Sequence, residues 1–327
     1  MIEKCYYLKS PSINPYYNLA LEDYLFHNIP ADSMIFMLSQ NNDTVMIGRD
    51  QNPYKECFLN AMELDHCYLA RRESGGGAVY QDLGNLNFSF IMYMDNYDID
   101  RQMETIIQAL KKAGINAERN GRNDIEVDGY KISGSAYLTR QERCLHHGTL
   151  AFNIDRKRMA RYLNVSDKKI KAKGYDSVAS RTINIQELNP ALNMNSFQQI
   201  ILQTVANNYG ALYEMMPPAD LSQQIDRYFS HSYIYGKTSE YTLIVHDYYS
   251  FGELQMYVDI ENGIIRDIDM FTDAVDQELL QSIRNLFTGM HVDDTSFRRR
   301  AARFSEKEYV DDMKNIYYAL KRNIFVG

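Results

Sequence analysis

The chain has 327 residues, 45% of them hydrophobic, with a net charge of −8. It is too apolar to stay disordered and long enough for about two domains. Its acidic balance argues against broad nucleic-acid binding, which needs a surplus of basic side chains.

In chain order, Met1 to Cys5 carries no charged-then-apolar signal segment. Asn14-Pro15 predicts a helix start, with Asn as cap and Pro in the first turn. Tyr17, Leu21, Tyr24 and Leu25 then share a face at helical spacing. Strands are expected at Met34–Leu38, Thr44–Ile47, Cys67–Ala70 and Asn87–Tyr93. Met103, Ile106, Ile107 and Leu110 mark a helix that Gly114 stops. Asp128-Gly129, both tolerant of positive φ, predicts a hairpin turn between Asp124–Val127 and Tyr130–Leu138. Leu145–Ile154 reads as a strand, and Phe197, Ile200, Ile201, Thr204 and Val205 as a helix face.

The polar, tyrosine-rich Phe229–Ser239 reads as a connector. Beyond it, Tyr241–Val245, Glu253–Ile260 and Gly263–Ile268 are strand-like, with Asn262-Gly263 as a turn. Asp276–Phe287 and Glu306–Lys321 are helical, and the run Arg298-Arg299-Arg300 reads as a solvated face. Irregular mixing of strands and helices favours an α+β class with a mainly antiparallel sheet. A catalytic domain over residues 1–235 and a small α+β domain over 240–327 are expected. No run reaches the ~18 apolar residues of a membrane span. Cys5, Cys57, Cys67 and Cys144 form no C-x-x-C pair, which fits a reduced, cytoplasmic protein.

The sharpest local feature is Arg71-Arg72-Glu73-Ser74-Gly75-Gly76-Gly77-Ala78-Val79-Tyr80. Three consecutive glycines free the backbone, and their N–H groups can line an anion-binding concavity. Arg72 adds a planar fork suited to phosphate or carboxylate. A flexible turn between strands is the plainer alternative. Neither G-x-x-x-x-G-K-[ST] nor G-x-G-x-x-G is present, so the familiar nucleotide folds fit poorly. Lys131 is followed by small residues, Ser133-Gly134-Ser135-Ala136, which leave room for a ligand beside an ammonium group. His146 and His147 are adjacent, a poor geometry for one metal.

Taken in order, these segments resemble the lipoate–protein ligase A family. The resemblance is carried by Asn14-Pro15 with Asn18-Leu19-Ala20, Gly48-Arg49 with Gln51-Asn52-Pro53, and Arg71 to Asn85. It continues through Asn123-Asp124, Lys131 to Tyr137, His146 to Leu150, and Lys173-Gly174 with Ser177-Val178 and Ser180-Arg181. It implies a large domain like that of biotin ligases, a small accessory domain that rearranges, and a reaction of lipoate with ATP and Mg²⁺ through lipoyl-AMP. By resemblance, lipoate lies against Leu19, Arg72, Ser74, Gly75, Gly76, Gly77, Lys131, Gly134, Ser135, Ala136 and His147. The nucleotide lies against Arg72, Gly77, Ala78, Val79, Tyr80, Asn85, Asp124, Lys131, Lys173, Ser177 and Arg181, with Asp124 also the candidate Mg²⁺ ligand. Lys131 matches the essential lysine, and Ser166 to Arg181 a loop that orders over the adenylate. The implied partners are lipoyl domains of 2-oxo-acid dehydrogenase E2 subunits and the glycine-cleavage H protein. Gln81 and Ser39 depart from the histidine and tryptophan of some relatives. The rival readings are an ATP-independent octanoyl or lipoyl transferase and a non-catalytic lipoate-binding protein.

Overall fold

The computed structural model describes residues 2–121, 123–164, 181–235, 243–261 and 263–325. Its first unit opens with β1 (Lys4–Lys9), α1 (Pro15–His27), β2 (Ser33–Ser39) and β3 (Thr44–Ile47). Next come α2 (Pro53–Glu56), α3 (Leu59–Leu64), β4 (Tyr68–Arg71), β5 (Val79–Gln81) and β6 (Asn85–Tyr93). They are followed by α4 (Ile99–Lys112), β7 (Glu118–Asn120), β8 (Asp124–Val127), β9 (Tyr130–Arg140) and β10 (Arg143–Ala151). The unit continues with α5 (Arg156–Tyr162), α6 (Ile185–Leu188), α7 (Met194–Tyr209), β11 (Leu212–Glu214), α8 (Ser222–Phe229) and α9 (His231–Tyr235).

Eight strands form the main sheet in the order β11-β1-β2-β6-β10-β9-β8-β7. β1 runs parallel to β11 and β2, and every other neighbouring pair is antiparallel. Central β2 (SMIFMLS) is buried from Ser33 to Leu38 because both faces of the sheet are covered. α1 lies on one face: its Glu22 bonds to Ser89 on β6 and to His147 on β10. α4 lies on the other, where Gln102 reaches His146. Adjacent strand residues point to opposite faces, so His146 and His147 never meet one ligand.

Asn14 caps α1 as expected, accepting from the N–H of Tyr16 at 2.9 Å and of Tyr17 at 3.3 Å. The expected apolar face is only half right. Leu21 and Leu25 are buried, whereas Tyr17 and Tyr24 are half-buried and Tyr16, Asn18 and Phe26 lie inside. A helix covered on several sides has no single stripe.

His146 is fully buried among Phe88, Phe90 and Tyr137, and burial pulls its pKa down to about 3. Below the unfolded value of about 6.5 the unfolded chain takes a proton that the folded chain refuses. Stability therefore falls as pH drops from about 6.5 towards 3. Between pH 7.5 and 5 the wild type should lose about 2 kcal/mol more than His146→Gln in urea unfolding.

A small second sheet, β4-β3-β5, pairs β3 parallel to β4 and antiparallel to β5. After β5 the chain passes Gly84, where a Cβ would lie 1.9 Å from the Asn153 carbonyl oxygen. Backbone cannot yield there, so Gly84→Ala should cost about 3 kcal/mol in chemical unfolding.

A second compact unit comprises Gly48–Asn52, Gly75–Gly77 and Tyr235–Gly327. Its meander is β12 (Leu243–Tyr249), β13 (Gly252–Glu261) and β14 (Ile264–Thr272), followed by α10 (Gln277–Phe287), α11 (Asp294–Ala301) and α12 (Val310–Phe325). One core joins Leu254, Met256 and Ile268 to Ile283, Phe287, Met313 and Leu320. Gly263 takes φ 74° in the β13–β14 turn; Asn262 lies outside the described residues. The expected connector is α-helical over its first part, in α9, and residues 236–242 lie outside the described residues. The arginine run is not wholly a solvated face. Arg298 and Arg299 are exposed, but Arg300 donates to the carbonyls of Asn285, Leu286, Thr288 and Gly289, capping α10.

Candidate active site

The site is built on the α1 face of the main sheet and the end of β4. Alternation sorts three successive side chains at that end. Arg71 donates to the carbonyls of Tyr233 and Ile234, both at 3.0 Å from its Nε. Glu73 accepts from Arg140 at 3.0 Å, from the Tyr233 hydroxyl at 2.8 Å and from Arg227. These two anchor α8 and α9. Arg72 between them donates to the Met46 carbonyl and to Ser74 Oγ, both at 3.1 Å. Burial lowers its pKa to about 10, opposed by the Glu22 carboxylate, so it remains a cation at neutral pH.

Ser74 begins a chain of short contacts. Its Oγ lies 2.7 Å from His147 Nε2, and His147 Nδ1 lies 2.9 Å and 3.0 Å from the two Glu22 oxygens. Ser89 Oγ donates to Glu22 at 2.5 Å. Burial pushes the Glu22 pKa up, but His147, Ser89 and Arg72 more than reverse this, leaving it low and the group ionised.

Lys131 belongs to β9, where pairing with β8 slips. Glu126 pairs with Lys131 but Ile125 pairs with Ser133, leaving Ile132 as a bulge. The extra residue breaks alternation and brings Lys131 and Gly134, three apart, to the same place. A Cβ on Gly134 would lie 2.7 Å from Lys131 Nζ. Nζ instead sits 2.7 Å from Asp124 Oδ1, and Arg181 holds Asp124 Oδ2 at 2.5 Å and Glu126 at 2.9 Å. Burial raises the Asp124 pKa, yet the two cations outweigh it and keep the carboxylate low. Thr182 bridges Lys131 in parallel, and the Ile183 N–H donates to the Lys131 carbonyl at 3.2 Å.

Strand register then orders the face. One row runs Asn87, Thr149, Gly134, Asp124, and the next runs Ser89, His147, Ala136. Asn85 lies two residues from Asn87 and donates to it at 2.8 Å. Asn87 and Asn41 both donate to Gln81 Oε1, and Asn18 donates to Asn41 at 2.7 Å. This amide ladder links the start of α1 to the rim of the face. Leu19 lies on α1 almost one turn before Glu22. Tyr80 is fixed on β5 by its hydroxyl, 2.6 Å from Asp43, with Val79 beside it and Ala78 just before the strand.

Ser135 is not brought to this face. Its hydroxyl points to Met103 of α4 at 3.6 Å, and its N–H is taken by the Asn123 carbonyl. Gly75, Gly76 and Gly77 group with the second unit; Gly76 has φ 88°, and a Cβ on Gly48 would lie 2.2 Å from its carbonyl oxygen. Lys173 and Ser177 lie outside the described residues, as does the expected loop up to Ser180. Glu22, Ser89 and Thr149 escaped sequence reading. For Glu22 the signal was there: the acidic pair Glu22-Asp23 directly after the apolar Leu19-Ala20-Leu21.

Asp124 is a poor metal ligand in this arrangement, since both oxygens already serve cations. Among the described residues no three His, Cys, Asp or Glu side chains converge to hold an ion.

A family model described as lipoyl protein ligase A/B catalytic domain matches residues 14–206, and one described as bacterial lipoate protein ligase C-terminus matches residues 238–316. Lipoate-protein ligase A of Psychrobacter cryohalolentis is 38% identical over 312 residues, 91% of each chain. The structure is similar to that of P. falciparum LipL1 in complex with lipoate, with a TM-score of 0.84 and 25% identity over 95% of this chain and 98% of that one. A lipoate-protein ligase A bound with ATP shares the fold, with a TM-score of 0.62 and 22% identity over 72% of this chain and 99% of that one. The chain belongs to the lipoyl protein ligase A/B family.

Proposed function

We propose that this protein is an ATP-dependent lipoate–protein ligase: it converts lipoate and ATP to lipoyl-AMP and then moves the lipoyl group to a lysine of a carrier protein. The observation that carries this reading is the Lys131 ammonium, held by Asp124 in the space that Gly134 leaves open, on the same sheet face as His147.

The chemistry asks for such a site. Free lysine, with a pKa near 10.4, is only about one part in a thousand neutral at pH 7.4, and a carboxylate resists attack. ATP activates the carboxylate when it attacks the α-phosphorus and pyrophosphate leaves. Both reactants are anions, so fixed positive charge lowers the barrier. Lys131 supplies it across both half-reactions as an electrostatic stabiliser, not as a nucleophile. Arg72 and Ser74 hold the carboxyl end of lipoate, with Leu19, Gly134, Ala136 and His147 along the acyl chain. The nucleotide lies against Ala78 to Tyr80, Asn85, Asp124 and Arg181. Ser135 contributes backbone only. Mg²⁺ is the companion of the ATP phosphates, and no protein cage for it is invoked.

A cysteine-dependent acyltransferase is disfavoured by the thiols themselves. Cys57 and Cys67 are pushed up to about 12, and Cys5 and Cys144 are raised, all chiefly by burial. Cys144→Ser should therefore leave lipoylation within about three-fold of wild type.

The carrier is a lipoyl domain of a 2-oxo-acid dehydrogenase E2 subunit or the glycine-cleavage H protein, and the work is cytoplasmic. Among the described residues no helix is long and apolar enough to cross a membrane. The test is to mix enzyme, lipoate, Mg-ATP and an apo lipoyl domain and weigh the domain. One lipoyl group added only with ATP supports the ligase; ATP-independent transfer from an acyl-carrier thioester rejects it.

A further inference from the structure

Three side chains of the site have a proton arrangement that the geometry fixes. Arg72 can only donate, so its Nε–H points at Ser74 Oγ, 3.1 Å away. The Ser74 hydroxyl proton is then free to point at His147 Nε2, 2.7 Å away. Glu22 is ionised and only accepts, so the single N–H of the His147 ring is on Nδ1 and donates to it at 2.9 Å. The tautomer leaves a basic Nε2 facing a serine hydroxyl, with a carboxylate behind it. The charged and titratable groups around this imidazole are Glu22 on α1, Arg72 at the end of β4, and the neutral His146 next along β10 but on the opposite face. The Glu22 and His147 side chains are alike in exposure, 13% and 14%, and Ser74 is buried.

We infer that Ser74, His147 and Glu22 form the proton relay of the transfer half-reaction, taking a proton from the carrier lysine as it attacks lipoyl-AMP. The inference rests on the ligase reading and on Ser74 lying at the carboxyl end of lipoate. A lysine ammonium loses two protons in becoming an amide nitrogen. One passes to Ser74 Oγ as the Ser74 proton moves to His147 Nε2. The nitrogen lone pair forms the C–N bond, the C–O bond to phosphate breaks, and its electron pair leaves with AMP. The second proton goes to the departing phosphate, so imidazolium, amide and AMP monoanion balance the charge of ammonium and adenylate. Glu22 touches no reacting atom; it is a positioning residue that holds the tautomer and stabilises the imidazolium.

Adenylation needs no such base, because its nucleophile is already a carboxylate. The relay is therefore separable from it by the choice of amine. Enzyme-bound lipoyl-AMP is formed from lipoate and Mg-ATP with pyrophosphatase, then chased in single turnover with an apo lipoyl domain or with hydroxylamine. Hydroxylamine is neutral near pH 7.5 and needs no deprotonation before attack. In Glu22→Gln and in His147→Gln the ratio of lysine transfer to hydroxylamine trapping should fall by about 30-fold or more. Glu22→Asp, which restores the charge, should recover much of it. Equal slowing with both amines, or full lysine transfer by Glu22→Gln, overturns the relay and leaves the ligase reading standing. A wild type that forms no lipoyl-AMP overturns both.

Discussion

Replacing Lys131 with alanine should lower lipoyl-AMP formation by about 10³-fold, roughly 4 kcal/mol of barrier, while the protein stays folded. The ammonium is held 2.7 Å from Asp124 at a half-buried position, where it can face charge that develops on phosphate. Removing it does not strand the whole carboxylate, because Arg181 still holds the other Asp124 oxygen at 2.5 Å. The stability cost is then that of one buried carboxylate oxygen losing its partner, about 1–3 kcal/mol. Lys131→Arg should also lose most activity. Its planar fork does not fit a gap shaped by the missing Gly134 side chain for a compact point charge. Pyrophosphate release and thermal unfolding, measured on the same preparations, separate the two effects. Normal turnover by Lys131→Ala would place the site elsewhere.

A quieter substitution should be nearly as damaging. Gly134→Ala adds one methyl group at a point 2.7 Å from Lys131 Nζ and 2.9 Å from its Cε. The far end of a lysine can move aside, so the fold tolerates the change at about 1 kcal/mol or less. The ammonium cannot stay on Asp124 while it does so. Displacing a reacting charge by about 1 Å costs on the order of 10²-fold in rate, so adenylation should drop by about that factor. Tm and kcat, measured together, test the split. A large fall in Tm with unchanged specific activity would show that Gly134 serves packing rather than the position of the lysine.

How much of this was legible depends on where each feature is encoded. Strand runs such as Thr44–Ile47 and the turn at Asp128-Gly129 are local, so composition and periodicity revealed them. Asp128 and Gly129 both take positive φ, as that turn requires. The bulge at Ile132 was not legible, since a bulge exists only in relation to the strand opposite. Without it, alternation puts Lys131 and Gly134 on opposite faces, and the room made for the ammonium stays hidden. Ser135 shows the converse: it sits beside Gly134 in the motif, yet alternation turns its hydroxyl to α4. Partners such as Glu22, 125 residues from His147, come together only through the packing of α1 on the sheet. α11 was missed because its only buried residue is Phe297, which leaves no apolar period to read. Arg300 was misread for a related reason, since the carbonyls it caps belong to another helix.

Nucleotide analysis with no carrier protein present tests directly whether the enzyme adenylates lipoate. Purified enzyme, lipoate and α-labelled Mg-ATP should yield lipoyl-AMP and an equal amount of pyrophosphate, retained at about one equivalent per active site. ADP and inorganic phosphate as products, or no lipoate-dependent nucleotide turnover at all, would rule out the adenylating ligase.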